Sequence, residues 1–281
     1  MTGSAISGIS NFQAPGPFSQ NGVYSASMLN PQHQSPEETP EAPVAPCTAA
    51  TPHSRLSHAQ LLPPVAHDAG DSLATESDLP HSLYSDKIAA ISLLEGVSLF
   101  ELMGVTWMMA LTYENWSAET HTHAYDEVRH TKMIQDCARA ARWTLSDAEL
   151  IKETKLSREF YKATEAYLQK LAKRVFRLTF HQRTCDTAFA ISSYALLAFL
   201  IERRIMRIYP NLTKFGATEE MRALAKEIVC DEREHLTLVT GKLPAGLDFA
   251  DSSQDRIILM EKQLAAEWIG NLKAAYSRIL G

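Results

Sequence analysis

Residues 226–236 read K-E-I-V-C-D-E-R-E-H-L and carry the motif D-E-x-x-H. A second copy lies 105 positions upstream, at residues 126–130. In an α-helix, residues i and i+3 stand about 60° apart on one face, so the Glu and the His of each copy can point an oxygen and a nitrogen at the same place. Two such helices that face each other predict a dinuclear metal site, with the ligands Glu127, His130, Glu232 and His235.

The repetition of the motif makes it specific. The 281 residues contain only two Asp-Glu dipeptides, and both begin a copy of D-E-x-x-H. A single E-x-x-H is expected about once by chance in a chain of this composition, whereas two copies with a preceding Asp are not. We therefore interpret the rest of the chain as the scaffold of this pair.

The distribution of proline divides the chain. Eleven of the thirteen prolines lie in residues 1–80, which contain a single Lys or Arg, Arg55, and many Ser, Gln and Ala residues. Such a segment cannot bury enough apolar surface to offset chain entropy, which predicts a disordered leader. Residues 81–281 are then expected to form one folded domain.

Composition narrows the classes of function and location. A net charge of −6 without a strong basic block disfavours nucleic acid as a partner. The four cysteines show neither C-x-x-C nor a disulfide-scaffold spacing, which favours a reducing, cytoplasmic setting. Residues 1–36 lack the charged and apolar regions of a secretory signal, although their Ser-rich character would also suit a non-cleaved secretion signal or an atypical plastid transit segment. The apolar run 188–201 is too short to span a bilayer, so no membrane partner is expected.

The hydrophobic pattern predicts an all-α domain without a convincing strand. An apolar first helix and the apolar run 188–201 are expected to be core helices, and the two motif helices complete a set of four. A polar helix that begins at the capping box 146–149 is expected outside the metal-binding core, as is a C-terminal amphipathic helix. The helix of residues 188–201 is expected to end before Pro210, because proline disrupts a helix interior. The other predicted helices cover 88–111, a segment ending near 143, 147–178, 218–241 and 254–280.

Embedded glutamates precede the two motifs. Glu202 lies 30 residues before Glu232, while Glu95 and Glu101 lie 32 and 26 residues before Glu127. This order resembles the ferritin-like di-iron carboxylate superfamily, a four-helix bundle in which one Glu from each of two helices and one E-x-x-H from each of the other two surround two metals. Glu95 is preferred to Glu101 because its interval is the usual one in the superfamily. The resemblance implies the ligands Glu95, Glu127, His130, Glu202, Glu232 and His235.

The resemblance also implies supporting residues. In this superfamily the residue before each ligand Glu often accepts a hydrogen bond from a ligand histidine, which assigns that role to Asp126 and Asp231. Residues 123–130, H-A-Y-D-E-V-R-H, resemble the H-x-x-D-E-x-R-H of the arylamine N-oxygenases, where the extra histidine is a seventh ligand; His123 is thus a further candidate. In those enzymes the extra histidine belongs to the second motif, where this chain has Ile228. Residues 94–96 and 200–202 resemble segments of the aldehyde-deformylating oxygenases.

The function implied by the resemblance is oxygenation. Two iron ions, or manganese in their place, suit four carboxylates and two imidazoles and would activate dioxygen to hydroxylate or N-oxygenate a small organic substrate. The alternative is a ferroxidase or iron-handling protein, although ferritins are usually compact chains without an 80-residue leader. The expected partners are the substrate, dioxygen and an electron donor, and a homodimer is left open. A substrate cavity is expected beside the metals, lined by Ile91, Leu99, Tyr194, Ala198 and Phe199.

Overall fold

The computed structural model describes residues 78–112, 117–181, 186–243 and 253–281. Every described residue belongs to the compact unit Pro64–Gly281. The predicted leader therefore lies outside the described residues, apart from 78–80. The regular secondary structure of the described part is entirely α-helical, which confirms the all-α prediction. The helices are α1 Ser82–Ser85, α2 Lys87–Thr112, α3 Ala118–Arg142, α4 Asp147–His181, α5 Asp186–Phe215, α6 Glu219–Gly241 and α7 Ser253–Leu280.

Side chains that cap the helices fix where they begin. The Ser117 hydroxyl accepts a hydrogen bond from a backbone N–H one turn into α3, and the Thr218 hydroxyl does the same for α6, both at 3.3 Å. The capping box before α4 is present, because the Ser146 N–H donates to Glu149 at 2.8 Å and the Glu149 N–H donates back at 3.4 Å. Each contact satisfies a backbone donor that the helix itself leaves unpaired.

Four helices form a closed ring. α2 packs against α3 and α5, and α6 packs against the same two helices. α4 lies against α2 and α5, and α7 packs on α4, so the polar helix is outside the ring as predicted. Residues Lys87–Leu111 are long and apolar enough to cross a membrane, but 72% of the 18-residue window that meets this test is buried within the protein, which is the pattern of a core helix.

α5 corrects one prediction. It was expected to end before Pro210, yet it continues through this residue to Phe215. A proline inside a helix costs about 3 kcal/mol or more. Ile208 and Leu212 are almost completely buried, and burying such a side chain stabilises the fold by about 1.5–3 kcal/mol each, which offsets that cost. Tyr209, the residue before Pro210, is completely buried.

A buried ion pair holds α7 against the ring. The Arg204 guanidinium of α5 donates to both oxygens of Glu261 in α7, at 2.9 and 3.0 Å. The Tyr167 hydroxyl of α4 donates to the same carboxylate at 2.7 Å. Three helices thus share one hydrogen-bonded group, which satisfies a charge that would be costly to bury alone.

Candidate metal centre

Seven acidic and histidine side chains converge inside the ring, and none is more than 5% exposed. They form two clusters, in each of which one possible ligand atom per residue lies within 4.8 Å of the others. We name the clusters after one member each. The His123 subsite consists of His123, Glu127, Glu202 and His235, and the Glu101 subsite consists of Glu101, His130 and Glu232.

In the His123 subsite, imidazole nitrogens lie between carboxylates. The Nε2 of His123 is 2.9 Å from Glu127 Oε1 and 3.1 Å from Glu202 Oε1. The Nδ1 of His235 is 3.3 Å from the same oxygen of Glu127. His123 lies one turn before Glu127 on α3, so helical spacing alone brings these two side chains together.

In the Glu101 subsite, His130 faces two carboxylates. Its Nδ1 is 2.9 Å from Glu232 Oε1 and 3.6 Å from Glu101 Oε2. The other oxygen of Glu232 is 3.3 Å from His235 Nδ1, so this carboxylate contacts a histidine of each subsite. The two subsites are therefore neighbours that share the Glu232 side chain.

Several buried polar atoms of the site lack a hydrogen-bond partner. They are Glu101 Oε2, His130 Nδ1, Glu202 Oε2 and Glu232 Oε1. The His130 nitrogen nevertheless has ion-pair contacts, with Glu232 Oε1 at 2.9 Å and Glu101 Oε2 at 3.6 Å. An unsatisfied buried polar group costs about 1–3 kcal/mol, and a bound cation would supply the missing partner. The carboxylate oxygens and imidazole nitrogens of the two clusters could therefore hold a metal ion.

The aspartate of each motif contacts the histidine of the other motif. His130 Nε2 is 3.1 Å from Asp231 Oδ2, and His235 Nε2 is 3.5 Å from Asp126 Oδ2. Arg129 lies between the aspartates, donating to Asp231 and approaching Asp126 at 3.5 Å. These contacts hold both imidazoles with Nδ1 toward the subsites, the arrangement that the resemblance implied.

Burial and crowding of charge shift the pKa values of the site. Burial and the neighbouring carboxylates raise the pKa of Glu127 and of Glu202 well above the usual range. Burial lowers the pKa of His123 to about 3, with a smaller contribution from His235. Burial also lowers the pKa of His130, but Glu101 and Glu232 outweigh it and raise the pKa to about 10. The site therefore holds protons at neutral pH where a cation would relieve the repulsion between carboxylates.

The structure reverses the choice between Glu95 and Glu101. Glu95 lies outside both clusters, where its carboxylate is 29% exposed and accepts from Arg142 at 2.9 Å. Glu101 is fully buried in its subsite and accepts a hydrogen bond from the Tyr209 hydroxyl. Six residues of helix separate the two glutamates by about 9 Å and about 120°, so only one can face the ring interior. Counting residues could not decide between them, because the interval depends on the length of the turn after α2.

Two supporting residues were not predicted from the sequence. Tyr209 lies in the helix that was expected to end before Pro210, and Arg129 lies in the motif of residues 123–130, but the sequence assigned neither residue a role. Gly104, one turn after Glu101, is a sequence feature that could have indicated where α2 passes the cluster. A Cβ there would lie 3.8 Å from Glu127 Oε2, so the absence of a side chain leaves space beside the cluster.

A small apolar cavity adjoins the His123 subsite. Its walls include Gly104, Trp107, Met108, Tyr194 and Ala198, and it borders the carboxylates of both α3 and α5. Its free volume of about 10 Å³ accommodates one molecule the size of water. Tyr194 and Ala198 line it as expected. The remaining three predicted residues, Ile91, Leu99 and Phe199, pack in the hydrophobic core instead, because the cavity follows Glu101 rather than Glu95 along α2.

Comparisons with known proteins do not assign the chain: no protein-family model, no curated protein and no solved structure matches it. The assignment of the site therefore depends on its own residues and geometry.

Proposed function

We propose that this chain is a ferritin-like, non-haem di-iron oxygenase that uses dioxygen to hydroxylate or N-oxygenate a small organic substrate. The observation that carries the proposal is the pair of buried subsites in which four polar atoms lack partners. Structural carboxylates and histidines are normally hydrogen-bonded when buried, so this arrangement is costly unless cations occupy it. Iron is proposed for both subsites, with manganese as the other metal that such donors accept.

The helical ring supports the ferritin-like part of the proposal. Each D-E-x-x-H motif lies on one of two adjacent helices, α3 and α6, and each embedded glutamate lies on α2 or α5. This is the distribution of ligands that defines di-iron carboxylate bundles. His123 is an addition to that set, and it is proposed as a seventh ligand through Nε2.

The surrounding residues have separate roles in the proposed reaction. Bound iron ions would supply the redox and Lewis-acid chemistry that dioxygen activation requires. Asp126 and Asp231 orient the ligand imidazoles, and the apolar walls around Trp107 and Met108 keep bulk water from the site. One oxygen atom enters the substrate and the other leaves as water, so each turnover consumes two protons and two electrons from a separate donor.

The small size of the cavity gives limited support to a second candidate function, that of a ferroxidase. A space for one water-sized molecule admits dioxygen but requires side chains to move before an organic substrate can approach. A ferroxidase, in which iron itself is the substrate, needs no such movement. The two candidates differ in whether oxygen atoms are transferred to an organic compound.

The test begins with anaerobic reconstitution of the full chain with Fe(II). We expect about two iron atoms per chain, and much less in Glu232→Ala and His235→Ala variants. The reduced protein is then exposed to oxygen-18 gas with pools of fatty, aromatic and amino-acid-like compounds, and products are analysed by mass spectrometry. Label in an organic product that the ligand variants do not form supports the oxygenase. Continued iron oxidation that accumulates mineral without any labelled product would establish the iron-handling alternative.

A further inference from the structure

The outer side of α2 carries an uncharged stripe that is open to solvent. Leu102, Val105, Thr106 and Met109 are spaced by three or four residues and therefore share one face of the helix. Leu102 and Met109 are 44% and 54% exposed, and the two residues between them are partly exposed. The Thr106 hydroxyl donates to the Leu102 carbonyl at 2.8 Å, so its hydrogen bond is made within the helix. Residues 102–112 contain no Asp, Glu, Lys or Arg.

α3 extends this stripe into a surface two helices wide. Residues 101–108 of α2 run alongside residues 124–130 of α3 in the opposite direction. Val128 lies one turn after a residue that packs on α2, and Val128 and Tyr125 are 54% and 69% exposed. The charge of Arg129 is turned toward α6, where it contacts two acidic residues. We name this surface the α2–α3 apolar face; it consists of Leu102, Val105, Thr106, Met109, Tyr125 and Val128.

The chemistry of the face distinguishes between possible partners. An anionic membrane surface attracts clustered Lys and Arg side chains, and the face has none. Transient complexes with redox proteins have small interfaces that are about as polar as the rest of a protein surface. Interfaces between copies of one chain are more apolar. The stripe on α2 is about 10 Å long and α3 lies about 8–10 Å away, which suits the apolar centre of an interface of about 800 Å² per partner.

We propose that the α2–α3 apolar face joins two copies of this chain in a two-fold symmetric dimer. An axis that passes between Val105 and Thr106 pairs α2 with its copy in the opposite direction and places Leu102 opposite the partner's Met109. Each apolar side chain then meets another, and no charge is buried. Tyr125 is level with Thr106 and lies close to the axis. The dimer does not depend on the proposed metals, although it covers the outer side of the two helices that carry Glu101 and Glu127.

The mass of the full chain in solution tests the proposal. Sedimentation velocity and light scattering should give twice the monomer mass of 31.2 kDa. Leu102→Glu and Met109→Lys each place a charge against an apolar side chain, and each should raise the dissociation constant of the dimer at least about 100-fold. Ile151→Glu on α4 and Leu259→Lys on α7 introduce the same charges at exposed apolar residues outside the face, and both should remain dimeric. Circular dichroism should show the same helical signal in all four variants.

A mixture of the two interface variants tests the two-fold arrangement. In a mixed dimer the introduced glutamate lies opposite the introduced lysine at one contact, and Met109 meets Leu102 at the other, so the mixture should associate at least about tenfold more tightly than either variant alone. A mixture that stays monomeric would overturn the antiparallel contact. A wild-type dimer that neither variant weakens would place the interface elsewhere and overturn the proposal. A monomeric wild-type chain would also overturn it, and binding of that monomer to anionic lipid vesicles would assign the face to a membrane. Loss of the dimer leaves the metal content of the chain unaffected, so these outcomes are independent of the proposed function.

Discussion

Replacing Glu101 by glutamine should stabilise the metal-free protein and remove most of its response to metal. The Glu101 side chain is completely buried, and its Oε2 has no hydrogen-bond partner. The glutamine keeps an oxygen that accepts from the Tyr209 hydroxyl, but it removes a buried negative charge from a site with three other carboxylates. Relief of one unsatisfied buried group is expected to raise the free energy of unfolding by about 1–3 kcal/mol. For a domain of this size that corresponds to a melting temperature higher by about 2–12 °C.

The increase in melting temperature on metal binding should be smaller in Glu101→Gln than in the wild-type protein. A ligand at one hundred times its dissociation constant stabilises the folded state by about 2.7 kcal/mol, which raises the melting temperature by about 5–11 °C. The wild-type protein should show this increase for each occupied subsite, and Glu101→Gln should lose it for the Glu101 subsite. Glu95→Gln is the matched control. It breaks a partly exposed ion pair worth at most about 1 kcal/mol, while Arg142 keeps Glu153 at 2.7 Å, and the response to metal should persist.

Differential scanning calorimetry of the three proteins, with and without Fe(II) under anaerobic conditions, measures both effects. Metal analysis of the same samples links each melting temperature to its occupancy. The reasoning fails if Glu95→Gln abolishes the response to metal while Glu101→Gln retains it, because the ligand would then be the one that residue counting favoured. A Glu101→Gln variant that is less stable without metal would show that the unpaired carboxylate oxygen carries no cost.

Three further predictions concern the surroundings of the site. Arg129→Met removes the contact that holds Asp231, so metal affinity should fall by about 10–100-fold in calorimetry, with an unchanged helical signal; an unaltered affinity would make this arginine a surface residue only. Glu261→Leu leaves the buried Arg204 without its carboxylate and should lower the free energy of unfolding in urea by about 3–5 kcal/mol while two metal ions still bind; a loss below about 1 kcal/mol would show that this ion pair does not anchor α7. Burial lowers the pKa of His130, but nearby carboxylates raise it to about 10, so this group is protonated at pH 7 and must lose its proton to bind metal. Metal loading in weak buffer should therefore release protons, measured with an indicator dye, and affinity should rise with pH; loading without proton release would contradict this.

The doubled motif predicted most of the candidate site because helical geometry acts over three or four residues. Within each D-E-x-x-H, the backbone alone determines that Glu and His share a face, whatever the rest of the chain does. His123 joins Glu127 by the same rule, one turn earlier on α3. Their burial on one side of amphipathic helices could also be read from the apolar pattern. These parts of the site required no knowledge of how the helices are arranged.

Glu101 and Tyr209 could not be predicted in this way because their positions depend on contacts between helices. α2 is apolar nearly all round, so its sequence does not show which of its two glutamates faces α3 and α6. That choice follows from the register in which α2 packs against its neighbours, which is set by side-chain packing over the whole length of the helix. Tyr209 lies before Pro210 in the predicted helix, but its hydrogen bond to Glu101 depends on how α5 packs against α2.

Packing alone gives no reason for the four buried carboxylates to be in this interior. Elsewhere in the described residues, buried charges have partners: Glu153 accepts from Arg142 and Ser157, and Glu261 is shared by Arg204 and Tyr167. Within the part of the chain that the structure describes, only the centre of the ring has several buried oxygens and a nitrogen without hydrogen-bond partners. Apolar residues of similar volume would fill this space at lower cost. The buried carboxylates and histidines break the packing pattern of the rest of the domain at this one place. Aspartates, an arginine and a tyrosine hold them there, which indicates a site for a group that is not part of the protein.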